Sequence, residues 1–116
     1  MTKINIKDVV ENLVDTFLSA GKISLDLRNK GLVKETKSDN TPVSNGDLEV
    51  NKIISQKISK LTPDIPIISE ETSDNKSIKS LKNFWLIDPI DGTYDYINNK
   101  DEFTINAGLI LSLIHI

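Results

Sequence analysis

Two amphipathic helical segments, both placed before any strand candidate, most constrain how this chain folds. The first runs from about Ile6 to Asn29, with apolar residues at helical spacing: Val10, Leu13, Val14 and Phe17. Asn5 is a predicted N-cap, Asp8 takes the third helical position, and Gly31 is a predicted stop. A helix of this length has to bury its apolar face, so we interpret the segment as a packing element.

The second helix is predicted over about Asn45 to Leu61. Ser44 can cap it, with Asp47 three residues later, and Pro63 ends it. Its apolar stripe comprises Val50, Ile54, Ile58 and Leu61.

The remaining segments predict turns and short strands. Lys34–Gly46 is polar and is predicted to be a loop. Strands are predicted at Ile65–Ser69, Phe84–Ile87 and Phe103–Ile110, with a loop or short surface helix at Ser73–Lys82. Helices followed by strands indicate an α+β fold, with two long helices packed on a mixed or antiparallel sheet.

Composition excludes several functional classes. The net charge is −3, which argues against binding a nucleic acid polymer. With no cysteine and a single histidine, His115, thiolate sites and a Ser-His-Asp triad are excluded. No apolar run is long enough for a membrane span, and acidic residues appear too early for a signal peptide. A cytoplasmic protein is therefore expected.

Three acidic clusters are candidates for chemistry: Asp47, Glu70–Glu71 and Asp88–Thr93. The last two directly follow apolar strand candidates, and strand ends are rigid places to build a site. Taken singly, each has an ordinary structural interpretation, as a helix cap, a solvated loop entry or a turn. Their occurrence together points to a shared site.

The stretch Asp88–Thr93 can bring carboxylates together. Pro89 fixes one backbone angle and Gly92 allows a sharp turn, so Asp88 and Asp91 can converge. Converging carboxylates repel unless a cation lies between them, and oxygen donors favour Mg²⁺, Mn²⁺ or Ca²⁺ over zinc. Backbone amides after Gly92 would attract an anion such as phosphate. The spacing does not match an EF-hand calcium loop.

These residues resemble a known signature. Trp85–Thr93, read as WLIDPIDGT, together with Phe103–Asn106 and Ile68–Glu71, resembles the inositol monophosphatase superfamily. The resemblance extends from about Leu13 to Ile110. Its members are lithium-sensitive, magnesium-dependent phosphatases of small phosphorylated metabolites, built as layered α/β sandwiches.

One branch of the superfamily matches best. Lys37, Asp39 and Thr41–Val43, followed by Asp47, resemble the CysQ-type 3'(2'),5'-bisphosphate nucleotidases. That resemblance implies hydrolysis of adenosine 3',5'-bisphosphate to AMP. Inositol monophosphatase activity is the alternative.

The resemblance also implies residue roles. Glu70, Asp88 and the Ile90 carbonyl would hold a first Mg²⁺, and Asp88 with Asp91 a second, in a complete site of two or three ions. We therefore expect the carboxylates of Glu70, Asp88 and Asp91 to converge.

The remaining roles concern water and substrate. Asp47 and Thr93 would orient the attacking water, and Glu71 would support that water or a further ion. Asp91, Gly92 and Thr93 would bind the substrate, with the amides of Gly92 and Thr93 receiving its phosphate. No nucleophilic side chain is required, because phosphoryl transfer depends on positioning and charge neutralisation.

The resemblance also bears on the extent of the chain. Superfamily members are longer, so residues 1–116 are expected to be the N-terminal metal-binding part of such a phosphatase, and a homodimer is suggested. One alternative is a non-catalytic half-domain. Another is a calcium-binding or regulatory module without phosphatase activity.

Overall fold

The first predicted helix is present with both of its caps. The computed structural model describes residues 5–69 and 82–111, and helix α1 spans Ile6–Lys30. The Asn5 side chain accepts a hydrogen bond from the Asp8 amide at 3.2 Å. At the other end Gly31 has φ +97°, a backbone conformation that residues with a Cβ rarely adopt.

Helix α2, Asn45–Leu61, also confirms its predicted bounds and cap. The Ser44 hydroxyl accepts from the Asp47 amide at 3.3 Å, and the Asp47 carboxylate accepts from the Ser44 amide at 2.9 Å. This reciprocal pair satisfies two backbone donors at the start of the helix. Val50, Ile54 and Ile58 of the predicted stripe are fully buried.

The prediction of one continuous loop over Lys34–Gly46 is wrong. Strand β1, Lys34–Thr36, pairs antiparallel with β2, Pro42–Ser44. The Lys37 amide donates to the Thr41 carbonyl at 2.8 Å, closing the connection between the strands. Only Val43 of the hairpin is a buried apolar residue, so the segment lacks the alternation that identifies a strand in sequence.

The main sheet has three strands in the order β3-β4-β5. They span Ile67–Ser69, Phe84–Asp91 and Thr104–Ile110. Strand β3 runs parallel to β4, and β5 runs antiparallel to it, which confirms the mixed sheet. Each lies at a predicted strand, although β3 is two residues shorter and β4 four residues longer than predicted. Most of the predicted loop or helix at Ser73–Lys82 lies outside the described residues.

The core lies between the helices and one face of this sheet. Helix α1 packs on α2, and α2 packs on β4. Trp85 and Ile87 of β4 face the helices, and the Trp85 indole donates to the Thr62 hydroxyl at 3.0 Å. None of the helices described here is long and apolar enough to cross a membrane.

The predicted apolar stripe of α1 is correct only in part. Leu13 is buried, but Val10 and Val14 are about half exposed, at 55% and 51%. Their exposed side lines a groove of about 480 Å³ that also includes Ala107 and Leu109 of β5. The spacing of apolar residues along a helix does not by itself predict which of them the rest of the fold will bury.

Candidate active site

The parallel pair β3 and β4 defines where the candidate site lies. The register places Ser69, the last residue of β3, opposite Ile87, and β4 continues for four more residues to Asp91. Glu70 follows Ser69 directly in the sequence, and Asp88 follows Ile87. Carboxyl ends of parallel strands are the usual position for ligand sites in open sheets.

A bulge in β4 brings two predicted ligands onto one face. Asp88 lies opposite Asn106 and Asp91 lies opposite Thr104, so β4 has one more residue than β5 between these pairs. The side-chain Nδ2 of Asn106 donates to the Thr104 hydroxyl at 3.0 Å, which shows that these two side chains share a face. Opposed residues point to the same side of a sheet, so Asp88 and Asp91 share that face as well.

Gly92 turns the chain sharply after the bulge. It has φ +94° and ψ 41°, and a Cβ there would lie 2.8 Å from the Glu102 carbonyl oxygen. A side chain at this position would therefore meet both backbone strain and a steric clash. The turn starts the short helix α3, Thr93–Ile97.

Asp47 is a fully buried carboxylate that links α2 to α3. One oxygen accepts hydrogen bonds from the Ser44 amide and from the Ser44 hydroxyl, at 2.9 and 2.5 Å. The other accepts from the Thr93 hydroxyl at 2.8 Å. Buried charges are tolerated when they are hydrogen-bonded in this way, and the contact holds the start of α3 against the start of α2.

Thr93 is at the centre of the predicted residues. Its hydroxyl lies within hydrogen-bond distance of Asp47 and also of the Ile90 carbonyl, at 3.1 Å. A hydroxyl donates one hydrogen and accepts through two lone pairs. With its hydrogen turned toward Asp47 or Ile90, Thr93 presents its lone pairs to a donor such as water.

Only some of the predicted metal ligands lie within the described residues. Glu70 and Glu71 lie outside them. In residues 5–69 and 82–111, no three histidine, cysteine, aspartate or glutamate side chains form a group that could hold a metal ion. Asp88, Asp91 and the Ile90 carbonyl supply the oxygen donors that Mg²⁺ prefers, and the shared face of the two aspartates fits such an ion.

Lys37, Asp39 and Thr41, which are among the residues that suggested a particular branch, lie at the tip of the hairpin. Asp39 is exposed and accepts from the Thr41 amide and hydroxyl, at 3.1 and 2.5 Å. These hydrogen bonds hold the pKa of Asp39 below its usual value. Strand β2, which contains Pro42 and Val43 of this predicted set, contacts helix α3.

Sequence reasoning missed two residues that support the site. Asn51 is buried one turn after Asp47, where its Oδ1 accepts from the Ser69 hydroxyl. A polar residue inside the apolar stripe of α2 was the available signal for it. Tyr96 of α3 is fully buried, and its hydroxyl donates to the Ser24 carbonyl of α1 at 2.6 Å.

Tyr96 makes stability depend on pH at the alkaline end. Burial and, secondarily, the negative charge of Asp47 raise its pKa to about 12, with Arg28 opposing them. The ordinary value of about 10 applies to the unfolded chain, so the folded state retains the proton longer. We expect the contribution of Tyr96 to the free energy of unfolding to be fully present below pH 10 and to be lost as pH rises toward 12.

Urea unfolding at a series of alkaline pH values measures this loss. The free energy of unfolding of Tyr96→Phe should decline less steeply between pH 10 and 12, because this variant lacks the ionising hydroxyl. Equal slopes in the two proteins would contradict the assignment.

Comparisons with known proteins identify the family of this chain. The profile of the inositol monophosphatase family matches residues 5–112. The 3'(2'),5'-bisphosphate nucleotidase CysQ of Buchnera aphidicola is 39% identical over 121 residues, covering 95% of this chain and 46% of the relative.

Solved structures share the fold. One is a staphylococcal inositol monophosphatase-1 in an inhibitory complex soaked in lithium chloride. It has a TM-score of 0.82 at 18% identity, and the match covers 96% of this chain and 42% of that one. An IMPase/NADP phosphatase complexed with Mg²⁺ and phosphate has a TM-score of 0.72 at 22% identity, covering 92% and 41%. This chain therefore spans less than half the length of these relatives. Since the family profile matches nearly all of it, the chain belongs to the inositol monophosphatase family.

Proposed function

We propose that this chain provides the residues that bind Mg²⁺ and the residues that orient water in a phosphatase. That phosphatase hydrolyses a phosphate monoester of a small metabolite. The observation that carries the proposal is the hydrogen bond from Thr93 to the buried Asp47, next to the bulge that bears Asp88 and Asp91. Adenosine 3',5'-bisphosphate, converted to AMP, is the proposed substrate, because the CysQ relative is a bisphosphate nucleotidase. A cytoplasmic location is part of the proposal.

Each residue has a proposed part in the site. Asp88, Asp91 and the Ile90 carbonyl, with Glu70 from outside the described residues, would hold Mg²⁺; two or three ions would occupy the complete site. Glu71 would support the water or a further ion. The solved relative that contains Mg²⁺ and phosphate supports this metal. Bound Mg²⁺ would supply charge neutralisation and a water of lowered pKa.

Asp47 and Thr93 would orient the attacking water. The Thr93 lone pairs accept from the water while the Thr93 hydroxyl donates to Asp47, which aims the water oxygen. That oxygen bonds to phosphorus as the ester P–O bond breaks. The attacking water gives up one proton and the leaving oxygen takes up one, so the products are an alcohol and inorganic phosphate and the number of protons is unchanged. The backbone amides of Gly92 and Thr93, with Asp91 beside them, would bind the phosphate group.

Phosphate release tests the proposal. The 116-residue chain is assayed with adenosine 3',5'-bisphosphate and inositol 1-phosphate, in Mg²⁺, in EDTA and in Mg²⁺ with Li⁺. We expect Mg²⁺-dependent release that lithium inhibits, and a loss of at least about 100-fold in Asp88→Asn. Changes in groups behind the ligands already cost roughly 10–100-fold.

Asp64→Asn is the matched control, because Asp64 is an exposed aspartate in the turn after α2. It should leave release unchanged. Faster release from inositol 1-phosphate would favour the inositol monophosphatase alternative. An absence of Mg²⁺-dependent release from either substrate would contradict catalysis by this chain and support the non-catalytic half-domain.

A further inference from the structure

The polar side of α2 contacts both strand ends of the candidate site. Asp47 and Asn51 are four residues apart, so they lie on one face of the helix, and both are buried. Asp47 accepts from Thr93, which follows β4, and Asn51 accepts from Ser69, the last residue of β3. One helical turn therefore bonds to the last residue of β3 and to the first residue of α3, two residues after β4 ends.

The position of Ser69 gives this second contact its importance. Ser69 is fully buried, lies opposite Ile87, and directly precedes Glu70. Consecutive Cα atoms are about 3.8 Å apart, so whatever fixes Ser69 limits where Glu70 can be. Strand β3 has only three residues, and a ladder this short provides few backbone hydrogen bonds to fix its end.

We infer that Asn51 is a positioning residue: through Ser69 it sets the distance between the end of β3 and the Asp47–Thr93 pair. This inference rests on the proposed function, since it concerns where the metal-ligating carboxylates stand. Asn51 accepts hydrogen bonds from Ser69 and Ser55, neither of which has a proposed part in the reaction. An asparagine side chain is uncharged, so it can fix Ser69 without adding a second negative charge beside Asp47.

A second hydroxyl provides the internal control. Ser55 also donates to Asn51 Oδ1, at 3.5 Å, from one turn further along α2 and away from the strand ends. Ser55→Ala therefore removes a contact of the same asparagine without touching β3. Ser69→Ala removes the contact with β3, and Ser69→Thr keeps a hydroxyl there.

The first measurement needs no metal. Amide hydrogen exchange is recorded at residues 68–69 and 87–88 and is compared with Ile54, in the middle of α2. We expect Asn51→Ala and Ser69→Ala to speed exchange at the strand ends by about 10-fold relative to Ile54, as for the loss of about 1.4 kcal/mol. Ser55→Ala and Ser69→Thr should leave this ratio unchanged. A uniform change that includes Ile54 would overturn the inference, because it would show only a general loss of stability.

The second measurement is the affinity for Mn²⁺, a probe with the oxygen preference of Mg²⁺. We expect Ser69→Ala and Asn51→Ala to weaken Mn²⁺ binding by roughly 10-fold or more, and Ser69→Thr to restore it. Equal affinity in wild type and Ser69→Ala would overturn the inference. If wild type binds no Mn²⁺ while the strand-end exchange changes as expected, the proposed function fails and the positioning by Asn51 stands.

Discussion

Replacing Tyr96 with alanine is expected to lower the free energy of unfolding by roughly 3–5 kcal/mol, the range for a large aromatic removed from a core. The Tyr96 ring lies 4.8 Å from Phe103, between centroids, and Arg28 lies 5.7 Å from its centroid. The change also removes the donor to Ser24. Urea unfolding followed by the fluorescence of Trp85, the only tryptophan, measures the loss.

Tyr94→Ala is the matched control. Tyr94 lies two residues away in the same short helix, but it is 69% exposed. Its removal should change the free energy of unfolding by no more than about 0.5 kcal/mol. Equal losses in the two variants would show that α3 itself, rather than the buried ring, carries the stability.

The second large effect is expected for Asp47→Ala, a loss of roughly 2–4 kcal/mol in the free energy of unfolding. Loss of a helix cap costs about 0.5–2 kcal/mol, and a buried donor left without a partner costs a further 1–3 kcal/mol. Here the Ser44 amide, the Ser44 hydroxyl and the Thr93 hydroxyl all lose an acceptor. The same urea titration measures the change.

Asp8→Ala tests whether this cost comes from burial or from helix position. Asp8 occupies the same third position in α1, but it is exposed. Its contribution there is mainly an interaction with the helix dipole, of about 0.3–1 kcal/mol. A loss at Asp8 as large as that at Asp47 would mean that the link to Thr93 adds nothing.

Local signals in the sequence were sufficient for the helices. Ser44 and Asp47 predict the start of α2 because a capping box involves residues three apart and needs no distant partner. The hairpin formed by β1 and β2 was missed because its pairing depends on hydrogen bonds across an exposed turn, and Val43 is its only buried apolar residue. Val10 and Val14 were placed in the apolar stripe of α1 but are about half exposed, because their burial depends on what packs over β5.

Local sequence signals predicted less of the site than of the helices. Family resemblance, not periodicity, brought Asp47 and Thr93 together, since they are 46 residues apart. The shared face of Asp88 and Asp91 follows from a bulge that exists only in the register with β5. Strict alternation would place residues three apart on opposite faces. Neither resemblance nor alternation indicated Asn51, whose partner lies at the end of another strand.

The contacts of Arg28 and Tyr96 have a consequence for synthesis. Tyr96 bonds to Ser24 across 72 residues, and Arg28 pairs with Asp101 across 73. At about 5–20 residues per second, a ribosome needs roughly 4–14 s to deliver the second partner after the first. During that interval the nascent chain holds the C-terminal half of α1 without the partners that cover it, and the Asp47 carboxylate without Thr93. The Asp47–Thr93 contact therefore forms only after residue 93 has been added, and the C-terminal half of α1 stays without Tyr96 and Asp101 until residue 101 has been added.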